Sequence, residues 1–165
     1  AKLEYGGQIV KRQKKACGSG LGHLTGLVNI DGRLATKDPA AYAKWLIDIR
    51  NRVAKVAPKY AFYEYGGNKQ SDVLIISFGI VARLLSDDKF SKSYALFRPI
   101  RLFPVLEKEI VRAAKNHNKV VVAEMNEGQY SLIIQSILKD KDVLSLPIRG
   151  GNFDNLEKRL GKLVK

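Results

Sequence analysis

An apolar, largely β-branched run, Val120-Val121-Val122-Ala123, limits the possible folds of this chain more than any other segment. Side chains alternate between the two faces of a strand, so an uninterrupted apolar run indicates a strand buried on both faces. The sequence then changes abruptly to Glu124-Met125-Asn126-Glu127-Gly128-Gln129-Tyr130 before a new apolar pattern begins. This change predicts a parallel strand followed by a helix, with the crossing at the carboxyl edge of a sheet, where ligands and partner surfaces usually dock.

Similar apolar runs recur on both sides of this segment. One of them, Asp72-Val73-Leu74-Ile75-Ile76-Ser77-Phe78-Gly79, ends in a small residue, as a central parallel strand often does at its carboxyl end. The strands predicted after residue 70 span 72–79, 94–102, 119–125 and 142–148, and the helices span 80–85, 104–117, 128–138 and 155–164. Strands that alternate with helices over short connections predict an α/β fold with right-handed crossovers.

The first part of the chain is less regular. Asp38-Pro39 predicts a helix start, with an apolar seam at residues 42, 46, 49, 53 and 56 that ends before Pro58. A short strand is predicted over 61–65, broken by Gly66-Gly67-Asn68, and Asp154 with Glu157 predicts a capping box for the last helix. We therefore predict an extension and linker over 1–37 and one α/β domain over 38–165.

Net charge is the main compositional signal. The chain carries 29 Lys and Arg against 16 Asp and Glu, a net charge of +13. A surplus of this size attracts polyanions, but the charges are spread over helices and loops apart from Lys11-Arg12 and Lys14-Lys15, and no nucleic-acid-binding motif is present. A solvated face or a surface for an acidic protein is therefore favoured over nucleic acid. No run is long and apolar enough to span a membrane, so a cytoplasmic protein is expected.

Candidate catalytic groups are sparse. Cys17 stands alone, so it can neither close an internal disulfide nor hold a metal centre by itself. The segment Gly18-Ser19-Gly20-Leu21-Gly22-His23 fits neither the dinucleotide fingerprint nor the nucleoside-triphosphate loop, which favours a surface loop. Without a clustered His, Cys or paired-acid constellation, the sequence predicts no catalytic and no metal-binding residue on this chain.

Several motifs in a fixed order resemble one family. Residues 121–129, Val-Val-Ala-Glu-Met-Asn-Glu-Gly-Gln, are similar to the Val-Val-Glu-Met-Asn-x-Gly-Gln signature of the alpha subunits of 2-oxoacid:ferredoxin oxidoreductases, and the strand 72–79 resembles that family's Asp-Val-Leu-Ile-Val-Ser-x-Gly. Residues 102–110 are similar to its Leu-Trp-Pro turn and helix. The family's Gly-Leu-Glu-His-Asp linker is replaced here by Gly-Leu-Val-Asn-Ile at 26–30, so neither its acid nor its histidine carries over.

The resemblance implies a transketolase carboxy-terminal-like domain, with three α/β/α layers around a largely parallel sheet. Such enzymes decarboxylate 2-oxoacids such as pyruvate on thiamine diphosphate and Mg2+, form an acyl-coenzyme A, and pass electrons through iron–sulfur clusters to ferredoxin. The resemblance implies that this chain holds none of these cofactors by itself, is inactive when isolated, and works with a beta subunit and other parts of the same enzyme.

The residues expected to face a partner or ligand are Glu124, Asn126, Gly128, Gln129 and Gly79. The structural alternative is that Asn126 and Gln129 satisfy backbone groups at the strand-to-helix corner. Two further possibilities are a basic polyanion-binding surface and a small-anion site at the helix starts near Gly79 and Gly128.

Overall fold

The computed structural model describes residues 3–5, 8–10, 29–30, 33–34 and 38–165. The loop with His23, Cys17 and the basic cluster at residues 11–15 lie outside the described residues. The chain divides into two compact units between Lys55 and Val56. The predicted boundary at residues 37 and 38 stays a prediction.

The first unit contains two short antiparallel strand pairs and one long helix. Strand β1 (Leu3–Tyr5) pairs with β2 (Gln8–Val10), and β3 (Asn29–Ile30) pairs with β4 (Arg33–Leu34). Helix α1 spans Pro39–Val56, and none of its residues is buried. The backbone N–H of Ala41 donates to Asp38 Oδ1 at 3.0 Å, so Asp38 caps the helix as predicted. No helix in the described part of the chain is long and apolar enough to cross a membrane.

The second unit is a five-stranded sheet with its connecting helices. Its strands are β5 (Tyr63–Gly67), β6 (Val73–Ser77), β7 (Ala95–Pro99), β8 (Lys119–Glu124) and β9 (Asp142–Pro147). Its helices are α2 (Gly79–Leu85), α3 (Asp88–Ser91), α4 (Glu107–Ala114), α5 (Gln129–Ile137) and α6 (Leu156–Val164), with 3-10 turns at Ala57–Tyr60 and Arg149–Gly151.

The strand order of this sheet is β5-β7-β6-β8-β9. Strands β7, β6, β8 and β9 are parallel to one another, and β5 joins the edge antiparallel to β7. The chain therefore leaves β6 toward β7 on one side, then returns across β6 to form β8 on the other. That reversal sets the position of the candidate site.

Two hydrophobic cores cover the two faces of the sheet. On one face, Leu74, Ile76, Val120 and Val122 pack with residues of α4 and α5. On the other face, the alternate residues of the same strands pack with α2 and α6. Strand β6 is buried along its whole length, as its apolar run predicts. The unit is thus a three-layer α/β/α sandwich.

Some predicted boundaries and one predicted cap were wrong. The strand predicted over 61–65 lies at Tyr63–Gly67, so Gly66 and Gly67 belong to it instead of breaking it. The strand predicted over 94–102 spans Ala95–Pro99, and the helix predicted over 104–117 spans Glu107–Ala114.

The predicted capping box of α6 does not form. Asn155, in the left-handed region at φ 55, is the residue before the helix and makes no side-chain cap bond. The backbone N–H of Asp154 instead donates to Asn152 Oδ1 at 2.9 Å, so a local turn takes the place of the cap.

Candidate functional site

The carboxyl ends of β6 and β8 form the point where the sheet's connections diverge. Helix α2, which follows β6, packs on one face, and α5, which follows β8, packs on the other. In open parallel sheets such a switch point leaves a crevice outside the strand ends, where ligands bind. Within the sheet, Ser77 Oγ donates to the carbonyl oxygen of Ala123 at 2.8 Å, which joins the two strands at this edge.

Glu124, the last residue of β8, is fully buried. Its Oε2 accepts the backbone N–H of Tyr130 at 3.0 Å and its Oε1 accepts that of Ser131 at 2.8 Å. The carboxylate therefore occupies the place at the start of α5 where an external anion would otherwise bind. An anion site at this helix start would require Glu124 to be displaced.

The turn that follows Glu124 is held by its own side chains. Asn126 Oδ1 accepts the N–H of Gly128 at 3.0 Å, and Gln129 Oε1 accepts the N–H of Glu127 at 3.0 Å. These contacts are the ones expected if Asn126 and Gln129 satisfy backbone groups at the strand-to-helix corner. Within the described residues, the side-chain amide nitrogens of Asn126 and Gln129 donate no hydrogen bond, so they stay available to a partner group.

Two glycines allow the chain to turn at this edge. Gly128 has φ 99 and is buried, and a Cβ added there would lie 3.1 Å from Ser145 Oγ. Gly79 has φ 61 at the start of α2, and a Cβ there would meet no atom within 4 Å. Gly128 thus combines a backbone requirement with close packing, whereas Gly79 has open space beside it.

An ion pair that the sequence did not suggest closes one side of the turn. Arg149 Nε lies 2.7 and 2.8 Å from Glu127 Oε1 and Oε2, and its Nη2 lies 2.7 Å from Oε2. Both side chains are exposed. The hydrogen bonds from Arg149 hold the pKa of the Glu127 carboxyl below its ordinary value, and the carboxylate raises the pKa of Arg149.

The ion pair between Arg149 and Glu127 leads us to a prediction about the titration of Glu127. Because its folded-state pKa is depressed, the interaction stabilises the folded protein above the ordinary glutamate pKa and is lost as the pH falls through the depressed value. In Arg149→Gln we expect the midpoint of Glu127 to rise toward the ordinary value, measured by NMR titration of its side-chain carboxyl carbon. Lys89→Gln, which removes the partner of Glu157, is the matched control. An unchanged Glu127 midpoint in Arg149→Gln would contradict the prediction.

Tyr130 is a buried titratable residue whose ionisation Glu124 affects. Burial, followed by the charge of Glu124, raises the pKa of Tyr130 to about 12, and the charge of Arg101 opposes the shift. The ring packs edge-on against Phe78, with centroids 5.3 Å apart. Its hydroxyl group and Arg101 Nε are both buried without a hydrogen-bond partner among the described residues.

Large apolar side chains are exposed along the same edge. They follow the carboxyl ends of three neighbouring strands: Ile80 after β6, Ile100, Leu102 and Phe103 after β7, and Met125 after β8. Phe103 is the most exposed, at 81%. We call these five residues the apolar edge.

Comparison with known proteins identifies solved structures that resemble this chain. No protein-family model matches the chain, and no curated protein matches it. Among solved structures, a 2-oxoglutarate:ferredoxin oxidoreductase from Magnetococcus marinus, determined with 2-oxoglutarate, coenzyme A and succinyl-CoA bound, is similar with a TM-score of 0.56 and 20% identity. A split gene transketolase in an inactive beta4 tetramer matches 62% of this chain and 37% of its own, with 16% identity and a TM-score of 0.43.

The oxidoreductase match covers 92% of this chain and 28% of the enzyme chain. The chain therefore shares its fold with a part of a larger enzyme. The predicted fold class, three α/β/α layers around a largely parallel sheet, is confirmed. The match spans little more than a quarter of the enzyme's length, so it shows the architecture of one part and not an activity.

A fixed catalytic constellation is absent from the described residues. His117 is buried at the opposite end of the sheet from the carboxyl edge. Its Nδ1 lies 2.6 Å from the carbonyl oxygen of Ser71, and its Nε2 lies 2.9 Å from the hydroxyl group of Tyr65. A carbonyl oxygen can only accept, so Nδ1 carries the proton and donates it. This histidine ties the start of β8 to β5 and β6. The described residues also contain no group of three or more His, Cys, Asp or Glu side chains that could hold a metal ion.

The site residues that sequence reasoning missed share a cause. Arg149 lies 22 residues beyond Glu127 in the chain, and Arg101 lies 29 residues before Tyr130. Nothing local in the sequence pairs them. The exposure of Phe103 also had no local signal, because it lies in a mostly apolar stretch, residues 100–106, in which Leu106 is fully buried.

Proposed function

We propose that this chain is the transketolase-like domain of the alpha subunit of a thiamine-diphosphate-dependent 2-oxoacid:ferredoxin oxidoreductase. The observation that carries the proposal is the match over 92% of this chain to part of such an enzyme. The ordered motifs at residues 72–79, 102–110 and 121–129 support it, because they lie on the strands and turns that meet at the carboxyl edge.

In this role the chain contributes assembly surface and positioning instead of catalytic groups. The apolar edge is the surface available for another subunit or domain, with the amide groups of Asn126 and Gln129 beside it. Glu124 acts within the chain, since both of its oxygens bind the backbone of α5. The 2-oxoacid, coenzyme A, thiamine diphosphate, Mg2+ and iron–sulfur clusters belong to the assembled cytoplasmic enzyme, which passes electrons to ferredoxin.

The test is co-purification of activity from the source cells. An affinity tag on the chain that contains these residues should retain an enzyme that reduces methyl viologen when both coenzyme A and a 2-oxoacid are present. Parallel assays with pyruvate and 2-oxoglutarate would identify the acid. A fully active 2-oxoacid:ferredoxin oxidoreductase from the same cells that lacks every chain with these residues would overturn the proposal.

The apolar edge makes a prediction about assembly. Phe103→Ser should raise the dissociation constant of this chain for the rest of the enzyme about 10- to 100-fold, because exposed aromatic anchors commonly supply about 2 kcal/mol or more at interfaces. Biolayer interferometry on the purified components measures it. Val111→Ser, which removes an apolar side chain that is 49% exposed on α4, is the matched control and should leave affinity unchanged. Equal affinities for Phe103→Ser and wild type would contradict an interface at this edge.

A further inference from the structure

A polar pocket of about 580 Å3 lies beyond the carboxyl end of β9, against the first turns of α6. Its size falls within the range of small-molecule sites, roughly 300–1,000 Å3. Four cationic side chains line it, against one carboxylate, that of Asp154; the cations are those of Arg149, Lys158, Arg159 and Lys162. Asn152 and Asn155 add amide groups to the lining. The net positive charge of the described lining therefore favours the binding of anions.

One of the cations, Arg159, is oriented at the pocket wall by hydrogen bonds to backbone carbonyl oxygens. Arg159 Nη2 donates to the carbonyl oxygen of Pro147 at 2.6 Å, and Nη1 donates to that of Asn152 at 3.4 Å. Carbonyl oxygens are neutral, so they orient the guanidinium group without cancelling its charge. Arg149, in contrast, is balanced by Glu127 on the side facing the turn. The structure therefore supplies one preoriented and uncancelled guanidinium group.

The two lysines of the pocket lie one turn apart on α6. Lys158 and Lys162 are both exposed, and neither forms an ion pair within the described residues. Like charges four residues apart on a helix repel each other. An anion bound between them would remove that repulsion while it also reaches Arg159.

We propose that this pocket binds a compact solute with two or more linked phosphate groups. Arginine binds phosphate oxygens through its planar fork and lysine through a mobile point charge, and both kinds of group converge here. Linked phosphates offer more charged oxygens to the four cations than a single phosphate does. An extended nucleic acid requires a track of cations for successive phosphates, whereas these cations surround one concavity. The proposal rests on residues 147–162 and is independent of the proposed oxidoreductase role.

The first experiment is isothermal titration calorimetry of the full chain with tripolyphosphate, ATP and orthophosphate at low salt. We expect one tripolyphosphate or one ATP per chain, and orthophosphate binding at least ~10-fold weaker because it engages fewer cations. Equal affinity for tripolyphosphate and ATP means that the phosphates alone are recognised. Tighter binding of ATP means that the nucleoside also contributes. Absence of heat with both linked phosphates overturns the proposal.

Matched variants locate the site. Lys158→Gln combined with Lys162→Gln should weaken tripolyphosphate binding about 10-fold or more. Lys108→Gln combined with Lys115→Gln removes the same charge from exposed positions in and directly after α4, on the opposite face of the sheet, and should change affinity less than about 2-fold. An equal loss of tripolyphosphate affinity in the two double variants would mean nonspecific electrostatic attraction and would overturn the proposal that this pocket is the site.

A gain of affinity separates binding from folding. Asp154→Asn removes the one carboxylate of the described lining, so it should tighten tripolyphosphate binding, an effect that partial unfolding cannot produce. Unchanged or weaker binding contradicts the site. If a fluorescent single-stranded oligonucleotide binds and depends on Lys158 and Lys162 while tripolyphosphate does not bind, the surface serves nucleic acid and the proposal is wrong.

Discussion

Glu124→Ala should lower the free energy of unfolding by about 3–5 kcal/mol, because it leaves two buried backbone donors without an acceptor. The N–H groups of Tyr130 and Ser131 both point at its carboxylate, and Glu124 has no exposed surface on which water could replace it. Urea denaturation followed by circular dichroism measures the loss. Amide hydrogen exchange of Tyr130 and Ser131 should accelerate, which shows that the start of α5 is the part released.

Glu127→Ala is the matched control for this variant. It removes the same side chain three residues later, but Glu127 is exposed and its partner is the exposed Arg149. Exposed ion pairs contribute little to stability, so the unfolding curve should barely move. Glu124→Gln should lie between the two, since an amide keeps one acceptor oxygen but turns its NH2 group toward the other backbone donor. If Glu124→Ala were as stable as Glu127→Ala, the buried carboxylate would not hold the helix start.

Gly67→Ala should destabilise the chain by about 3 kcal/mol or more, through backbone strain and steric overlap together. Gly67 has φ 69, and an added Cβ would overlap the carbonyl oxygen of Tyr94 and lie 3.2 Å from Leu96 Cγ. The Tyr94 carbonyl oxygen cannot withdraw easily, because it also accepts the N–H of Asn68 at 2.9 Å. We therefore expect the edge strand β5 to separate from β7 at this end, measured by thermal and urea unfolding.

The neighbouring residue is the control. A Cβ on Gly66 meets no atom within 4 Å, and its φ does not lie in the left-handed region, so Gly66→Ala should have little effect or should stabilise the strand slightly. The two variants differ by one position and have the same composition. Equal stability of the two would mean that the β5–β7 pairing near Tyr94 is looser than the structure indicates.

The candidate site shows how much of a local structure can be predicted from the local sequence. The stretch from Val120 to Tyr130 predicted a buried strand, a turn and a helix start, and all three lie there. The sequence left two roles open for Asn126 and Gln129, and the hydrogen bonds that form are those of the structural alternative: each side chain bonds a backbone group two residues away. Such contacts depend on short-range geometry, so a sequence pattern can specify them.

The role of Glu124 was harder to predict. An acid at the end of an apolar strand suggested a group facing a ligand, whereas the structure turns it inward to the first N–H groups of α5. The choice depends on where the helix axis points after the turn. Gly128 at φ 99 directs that axis, and the space near Ser145 limits it.

The sequence by itself determined the alternation of strands and helices after residue 70, because an apolar run such as Val120–Ala123 and a helical seam each reflect which faces must be buried. Only the tertiary structure decided the strand order β5-β7-β6-β8-β9, since a right-handed crossover can place the next strand on either side of its predecessor. That order sets the switch point between Ser77 and Glu124. It also brings Arg149 to Glu127 and to the pocket beside α6, contacts that long-range packing forms and local pattern does not encode.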